Sequence, residues 1–153
     1  MGSVRRHVVI DRSADDVWDL VGDPTSISHW FPGIVDATVD GTTRVITTAS
    51  GIPMPEEIVT NDPLQRRFQY RITAPIMQNH IGTIDVFALG EQSSLVAYST
   101  DCEPDTMALI IGGATGNALG ELRRMLEVGG PSRLVEGAHV PEGAHMPEGA
   151  RDG

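Results

Sequence analysis

Apolar and polar positions alternate along much of the chain, and the alternating runs are separated by turn-forming residues. The runs are 4–10 (VRRHVVI), 34–40 (IVDATVD), 43–49 (TRVITTA), 56–61 (EEIVTN), 67–73 (RFQYRIT), 80–89 (HIGTIDVFAL) and 94–102 (SLVAYSTDC). Each has the length and β-branched content of a strand. Between them stand Asp40-Gly41, Gly51 to Pro55, Asn61-Asp62-Pro63, Ala74-Pro75 and Gly90 to Ser93, all turn chemistry. Two segments have a helical period instead. Ser13 reads as an N-cap, with Asp16 three residues on in a shortened capping box. The helix 14–21 turns Val17, Trp18, Leu20 and Val21 toward a core and stops at Gly22. A second short helix opens at Asp23-Pro24, runs to His29-Trp30 and breaks at Pro32-Gly33. From Pro104 to Glu127 a long helix is expected, with Met107, Ile110, Ile111, Ala114, Ala118, Leu122 and Met125 on one stripe.

The order is one strand, two short helices, six strands and a long C-terminal helix. Consecutive short strands joined by tight turns make an antiparallel meander. An α+β domain follows, a sheet of about seven strands curling round the long helix, with a cavity between the two layers. This domain takes residues 1–130. From 131 to 153 the chain changes character, and from Glu136 it repeats EGAHVP, EGAHMP, EGARDG. That tail has no periodic apolar face to offset the entropy of ordering and is expected to be disordered. Its His139 and His145 lack a third ligand for a metal site.

Composition narrows the function. The 153 residues carry 21 acidic and 11 basic side chains, net −10, and the expected domain alone remains at −8. A nucleic-acid partner needs a basic footprint, so none is expected. No apolar run is long enough to span a membrane. All basic residues are Arg and none is Lys, which removes Schiff-base and Walker-type phosphate chemistry. The single Cys102 forms no internal disulfide, and the first residues, MGSVRR, have no apolar core of a secretory signal. A cytoplasmic protein is expected. Nucleophilic triads, metal-ligand clusters and phosphate loops are absent as motifs, so any chemistry is expected to be cofactor-free and metal-free.

The stretch ADDVWDLVGDPTSISHWFPGI at 14–34 resembles the N-terminal signature of the START/SRPBCC helix-grip superfamily. There a strand leads into a Val-Trp helix, then Asp-Pro, then a Trp followed by Pro. The blocks DPLQRRFQYRI, HIGTIDV and SSLVAYSTDCEPD resemble its central and last strands. The likeness covers about residues 4–128 and is strongest to the bacterial polyketide cyclase/dehydrase and lipid-transport branch. It implies a helix-grip fold and a small hydrophobic ligand, polyketide-like or lipid-like. Members include cyclases, aromatases, carriers and proteins with no known reaction, so function must come from the site.

In a curled sheet one face of each strand lines the interior. Phe68, Tyr70 and Ile72 share a face, with Arg67, Gln69 and Arg71 opposite in water. His80 and Gly82 share a face with Ile84 and Val86. Val96, Tyr98, Thr100 and Cys102 share another. The expected pocket is apolar, with Tyr70, His80, Tyr98 and Thr100 as its polar groups, Trp30 and Phe68 in its wall, and Met107 and Ile111 facing it from the helix. Trp30 reads either as wall or as structural plug. His80 reads as a general base abstracting a proton beside a carbonyl while Tyr70 steadies the enolate, or as a buried histidine satisfied by backbone. His29, at the mouth the resemblance implies, is a second candidate base or a surface histidine. Of Glu56 and Glu57 at most one points inward, and there it would be ion-paired or raised in pKa. Gly112, Gly116 and Gly120 form a stripe opposite the apolar face, read either as a homodimer contact or as a weak helix held by the sheet. Three functions remain: a binder or carrier of a hydrophobic molecule, a cyclase or dehydratase, and a protein-interaction module.

Overall fold

The computed structural model describes residues 1–128; the repeat tail at 131–153, with its two histidines, lies outside the described residues. The elements are β1 (Gly2–Ile10), α1 (Ala14–Val21), α2 (Ile27–Trp30), β2 (Ile34–Asp40), β3 (Thr43–Thr48), β4 (Pro53–Asp62), β5 (Arg67–Ile72), β6 (Asn79–Gly90), β7 (Ser93–Glu103) and α3 (Asp105–Val128). The seven strands form one sheet in the order β1-β7-β6-β5-β4-β3-β2, every neighbour antiparallel. β2 to β7 are therefore a simple meander, and β1 pairs with β7 at the edge opposite β2. With the long C-terminal helix this is the helix-grip fold.

Alternation decides which face is inside. On β7 every even residue from Ser94 to Cys102 is buried, and on β6 so are His80, Gly82, Ile84 and Val86. Register slips in the β2–β3, β4–β5 and β6–β7 ladders add local twist, which helps a wide sheet curl. α1 begins as its cap dictates, with Ser13 Oγ accepting from the Asp16 amide at 3.1 Å.

α3 packs on β1 and β7, on a stripe shifted from the one the sequence suggests: Ala118 and Leu122 are buried as expected and Met107, Ile111 and Met125 are half-buried against the core, but Ile110 is not. Ala108, Gly112, Thr115, Ala118, Leu119 and Leu122 are buried, while Leu109 is 78% and Ile110 65% exposed. The helix presents its small residues because it lies close to the strand. A Cβ on Gly112 would stand 2.7 Å from Val4 Cγ2, inside van der Waals contact, and one on Gly116 would meet the Arg6 side chain at 3.6 Å. Arg6 Nε also donates to the Gly112 carbonyl at 3.2 Å. Gly112 and Gly116 thus serve the helix–strand contact, only Gly120 faces open space, and the three do not form an outward face for a second copy.

Candidate functional site

The inner face of β3 to β7 carries a group of polar and aromatic side chains that the rest of the core lacks. Gly82 makes room for it. It pairs with Tyr70 on one side and Thr100 on the other. A Cβ there would overlap the Tyr70 ring, so the glycine lets that ring lie across the β6 backbone. Tyr70 then reaches β7, where its hydroxyl and that of Tyr98 are 2.6 Å apart. The two rings meet edge to face at 6.4 Å, and the His80 ring is 5.3 Å from that of Tyr70. Phe31, just past α2, turns its ring edge-on to Tyr98 at 6.4 Å. Burial pushes both phenols above their ordinary pKa, so both stay neutral hydrogen-bonding groups.

Arg44 and Glu56 are direct partners across β3 and β4. Arg44 Nε donates to Glu56 Oε2 at 2.6 Å, and the two side chains are only 3% and 2% exposed. The guanidinium carbon stands 5.1 Å from the Phe68 ring centre and 5.0 Å from that of Tyr70, two cation–π contacts that help hold a buried charge. Arg44 Nη1 donates to the Pro24 carbonyl at 3.2 Å, tying the α1–α2 turn to the sheet. Burial raises the Glu56 carboxyl above its usual value, against the pull of Arg44 in the other direction.

His80 is fixed by the backbone. The β5–β6 ladder ends at Tyr70 and Gly82, and the Ile72 amide beyond it donates to His80 Nδ1 at 3.0 Å. An Nδ1 that accepts carries no proton, so the neutral ring has its hydrogen on Nε2. Burial first, and the Arg71 charge second, lower the pKa from 6.5 to about 4. At neutral pH His80 is therefore an uncharged donor whose one lone pair is occupied. The expectation that it acts as a general base does not fit this geometry.

Among the described residues four buried side-chain atoms have no hydrogen-bond partner: Arg44 Nη2, His80 Nε2, Thr100 Oγ1 and Ser94 Oγ. His80 and Thr100 belong to β6 and β7, Arg44 reaches the Tyr70 ring from β3, and Ser94 sits at the other end of β7 opposite Ile10.

Of the residues singled out from the sequence, the structure gathers Phe68, Tyr70, His80, Tyr98 and Thr100 in this buried group. Trp30 is buried at the end of α2, and its Nε1 donates to Ser26 Oγ at 3.3 Å, so its polar atom is satisfied within the helix. Met107 and Ile111 are half-buried and pack against the core. His29 is exposed on α2, apart from the group. Cys102 is fully buried, with its thiol pushed up chiefly by burial. Sequence reasoning missed Arg44 and Phe31. For Arg44 the signal was its place two residues from Ile46, on the same face of β3 as that buried residue.

Among the described residues no group of three or more His, Cys, Asp or Glu could hold a metal, and no helix is long and apolar enough to cross a membrane.

Solved structures share this fold. The protein XoxI from Bacillus cereus is 24% identical with a TM-score of 0.79, over 86% of this chain and 100% of that one. The di-domain ARO/CYC BexL of the BE-7585A biosynthetic pathway is 19% identical with a TM-score of 0.73, over 86% of this chain and 48% of that one. A START superfamily protein from Mycobacterium smegmatis is 17% identical with a TM-score of 0.64, over 83% of this chain and 95% of that one. At such identities the likeness is one of fold. No curated protein sequence matches the chain. The family model described as polyketide cyclase / dehydrase and lipid transport, however, matches residues 1–127, and the chain belongs to that family.

Proposed function

We propose that the protein binds a small hydrophobic molecule between its sheet and α3, with the Arg44–Tyr70–Tyr98–His80 group fixing the ligand's orientation. The observation that carries this reading is the set of unpartnered polar atoms inside an apolar interior. Buried polar groups are nearly always hydrogen-bonded, and leaving one unpaired costs about 1–3 kcal/mol. Three such atoms on the inner face that carries Tyr70 and Tyr98 support a place that a ligand completes. Phe31 and Phe68 provide apolar contact beside the tyrosines and Arg44, and binding in sites of this kind comes mostly from apolar burial, with a few polar groups setting orientation.

A cyclase or dehydratase remains the second reading, favoured by the Tyr70–Tyr98 hydroxyl pair, which can donate to an oxygen that gains charge. In that case the proton acceptor is a group other than His80.

Native mass spectrometry of freshly purified protein tests the binding reading. The expected result is a non-covalent adduct of a few hundred daltons that disappears on denaturation and is reduced in a Tyr70→Ala, Tyr98→Ala variant. Adducts of equal amount on wild type and variant would place binding elsewhere and overturn it.

A further inference from the structure

The charge state of the buried group points to a class of ligand. Arg44 is the one buried cation in it, and Glu56 at 2.6 Å cancels that charge, while Arg71, which acts on His80 from the outer face, is paired with Glu57 at 3.3 Å. His80, Tyr70 and Tyr98 are neutral at physiological pH, and the free positions on Arg44 and His80 are N–H donors. Resting on the binding reading above, we propose that the site selects an uncharged carbonyl oxygen, as in a ketone, ester or quinone, and rejects carboxylates of the same shape.

The physical argument is one of desolvation. A carboxylate entering the interior gives up its hydration at a cost of several kcal/mol and needs a net positive partner to recover it. Here the guanidinium already holds a carboxylate, so a second one would meet Glu56 as a like charge. A ketone loses far less on leaving water, and it needs one or two donors with no excess charge. Arg44 Nη2 and His80 Nε2 are such donors, each buried and each lacking an acceptor. The ladder reinforces the selection. His80 Nδ1 is held by the Ile72 amide at 3.0 Å, so the ring cannot turn its lone pair toward a ligand donor without breaking that bond. Arg44 and His80 therefore present hydrogens and ask for an acceptor, and the Thr100 hydroxyl, which can also donate, does not oppose one.

Glu56 is the residue that sets this preference, although it need not touch the ligand. Removing its charge would leave Arg44 unbalanced and turn the same place into a carboxylate site.

The test uses three matched probes, 2-acetylnaphthalene, 2-naphthoate and 2-methylnaphthalene, with dissociation constants read by tryptophan quenching or calorimetry. Wild type is expected to bind the ketone about tenfold or more tighter than the naphthoate, the equivalent of one well-made or one missing buried hydrogen bond. The ketone should also bind more tightly than the methyl compound. In Glu56→Gln the ratio of ketone to naphthoate affinity should move by about tenfold toward naphthoate. Because an unpaired Arg44 can unfold that variant, the Arg44→Met/Glu56→Met double variant is measured beside it. Replacing a buried ion pair by apolar residues usually preserves folding. It should bind 2-methylnaphthalene as wild type does, and its preference for the ketone should fall, with His80 Nε2 the one N–H donor left. Equal binding of ketone and naphthoate by wild type, or an unchanged ketone preference in the double variant, overturns the proposal while leaving the binding reading in place. Failure of all three probes to bind overturns both.

Discussion

Two of the arginine–carboxylate pairs in the sheet join the same functional groups on opposite faces. Arg44 and Glu56 are cross-strand partners on the inner face at 2.6 Å, with side chains 3% and 2% exposed. Arg67 and Asp85 are cross-strand partners on the outer face at 2.7 Å, 42% and 18% exposed. The outer pair is the better made of the two, since Arg67 grips both oxygens of Asp85, at 2.7 and 3.0 Å. Its neighbours are equally well served, with Thr60 donating to Gln69 and Gln69 to Thr83. The inner pair is the poorer, with one nitrogen left unpaired. Water makes the difference. On the outer face any missing hydrogen bond is supplied by solvent, so the pair only supports the register. Inside, a charge without its partner is very costly and an unmet donor has nothing else to bond to. The same two functional groups are decoration on one face and a candidate site on the other.

The sharpest way to break this comparison is to remove one partner at a time. Arg44→Met or Glu56→Ala alone should cost about 3–5 kcal/mol, since each leaves a lone buried charge, read as a large drop in the denaturation midpoint. A loss under 1 kcal/mol would mean that water reaches the inner pair.

Acid comes next. Because His80 has its pKa lowered from 6.5 to about 4, the unfolded chain takes up that proton first. The stabilising contribution is complete above pH 6.5 and is lost as the pH falls toward 4, by roughly 2–3 kcal/mol in total. Glu56, raised by burial, works the other way, since its protonation on acidification favours the fold. The quantity to read is thus the stability of wild type minus that of His80→Gln between pH 7 and 4, which should decline. A flat difference would show His80 to be open to solvent.

Gly82→Ala follows, at about 1–3 kcal/mol of overpacking. It should displace the Tyr70 ring and with it the tyrosine signal in the near-ultraviolet circular dichroism. An unchanged spectrum would mean that the ring has room the structure does not give it. Smallest of all, Arg67→Ala should cost about 0.2–1 kcal/mol, as exposed pairs do, and should leave ligand binding alone. A cost as large as that of Arg44→Met would erase the contrast between the faces.

Much of this was legible in the residues. Most strand boundaries and α1 follow turn chemistry and one N-cap, although β4 runs from Pro53 to Asp62, into the turns expected on either side, and the inward set Phe68, Tyr70, His80, Tyr98 and Thr100 follows from alternation along the strands. What escaped depends on relations between elements. Arg44 stands in TRVITT, where either face has an apolar residue, and its partner is fixed only once β3 and β4 are in register. The protonation of His80 rests on the Ile72 amide, which is free for it because the β5–β6 ladder stops two residues short. The rotation of α3 escaped for a different reason. Periodicity favours large side chains, whereas a helix pressed on a strand buries its small ones, so Gly112 and Ala108 went in and Ile110 stayed out.

The central claim is that the inner polar group, and not the outer face, meets a ligand. Nitrogen-15 NMR of the His80 imidazole and the arginine side chains during titration with 2-acetylnaphthalene tests it most directly. The account predicts that His80 Nε2 and the Arg44 guanidinium shift together and saturate, while Arg67 stays still. Saturable binding that leaves both inner groups unmoved would contradict it.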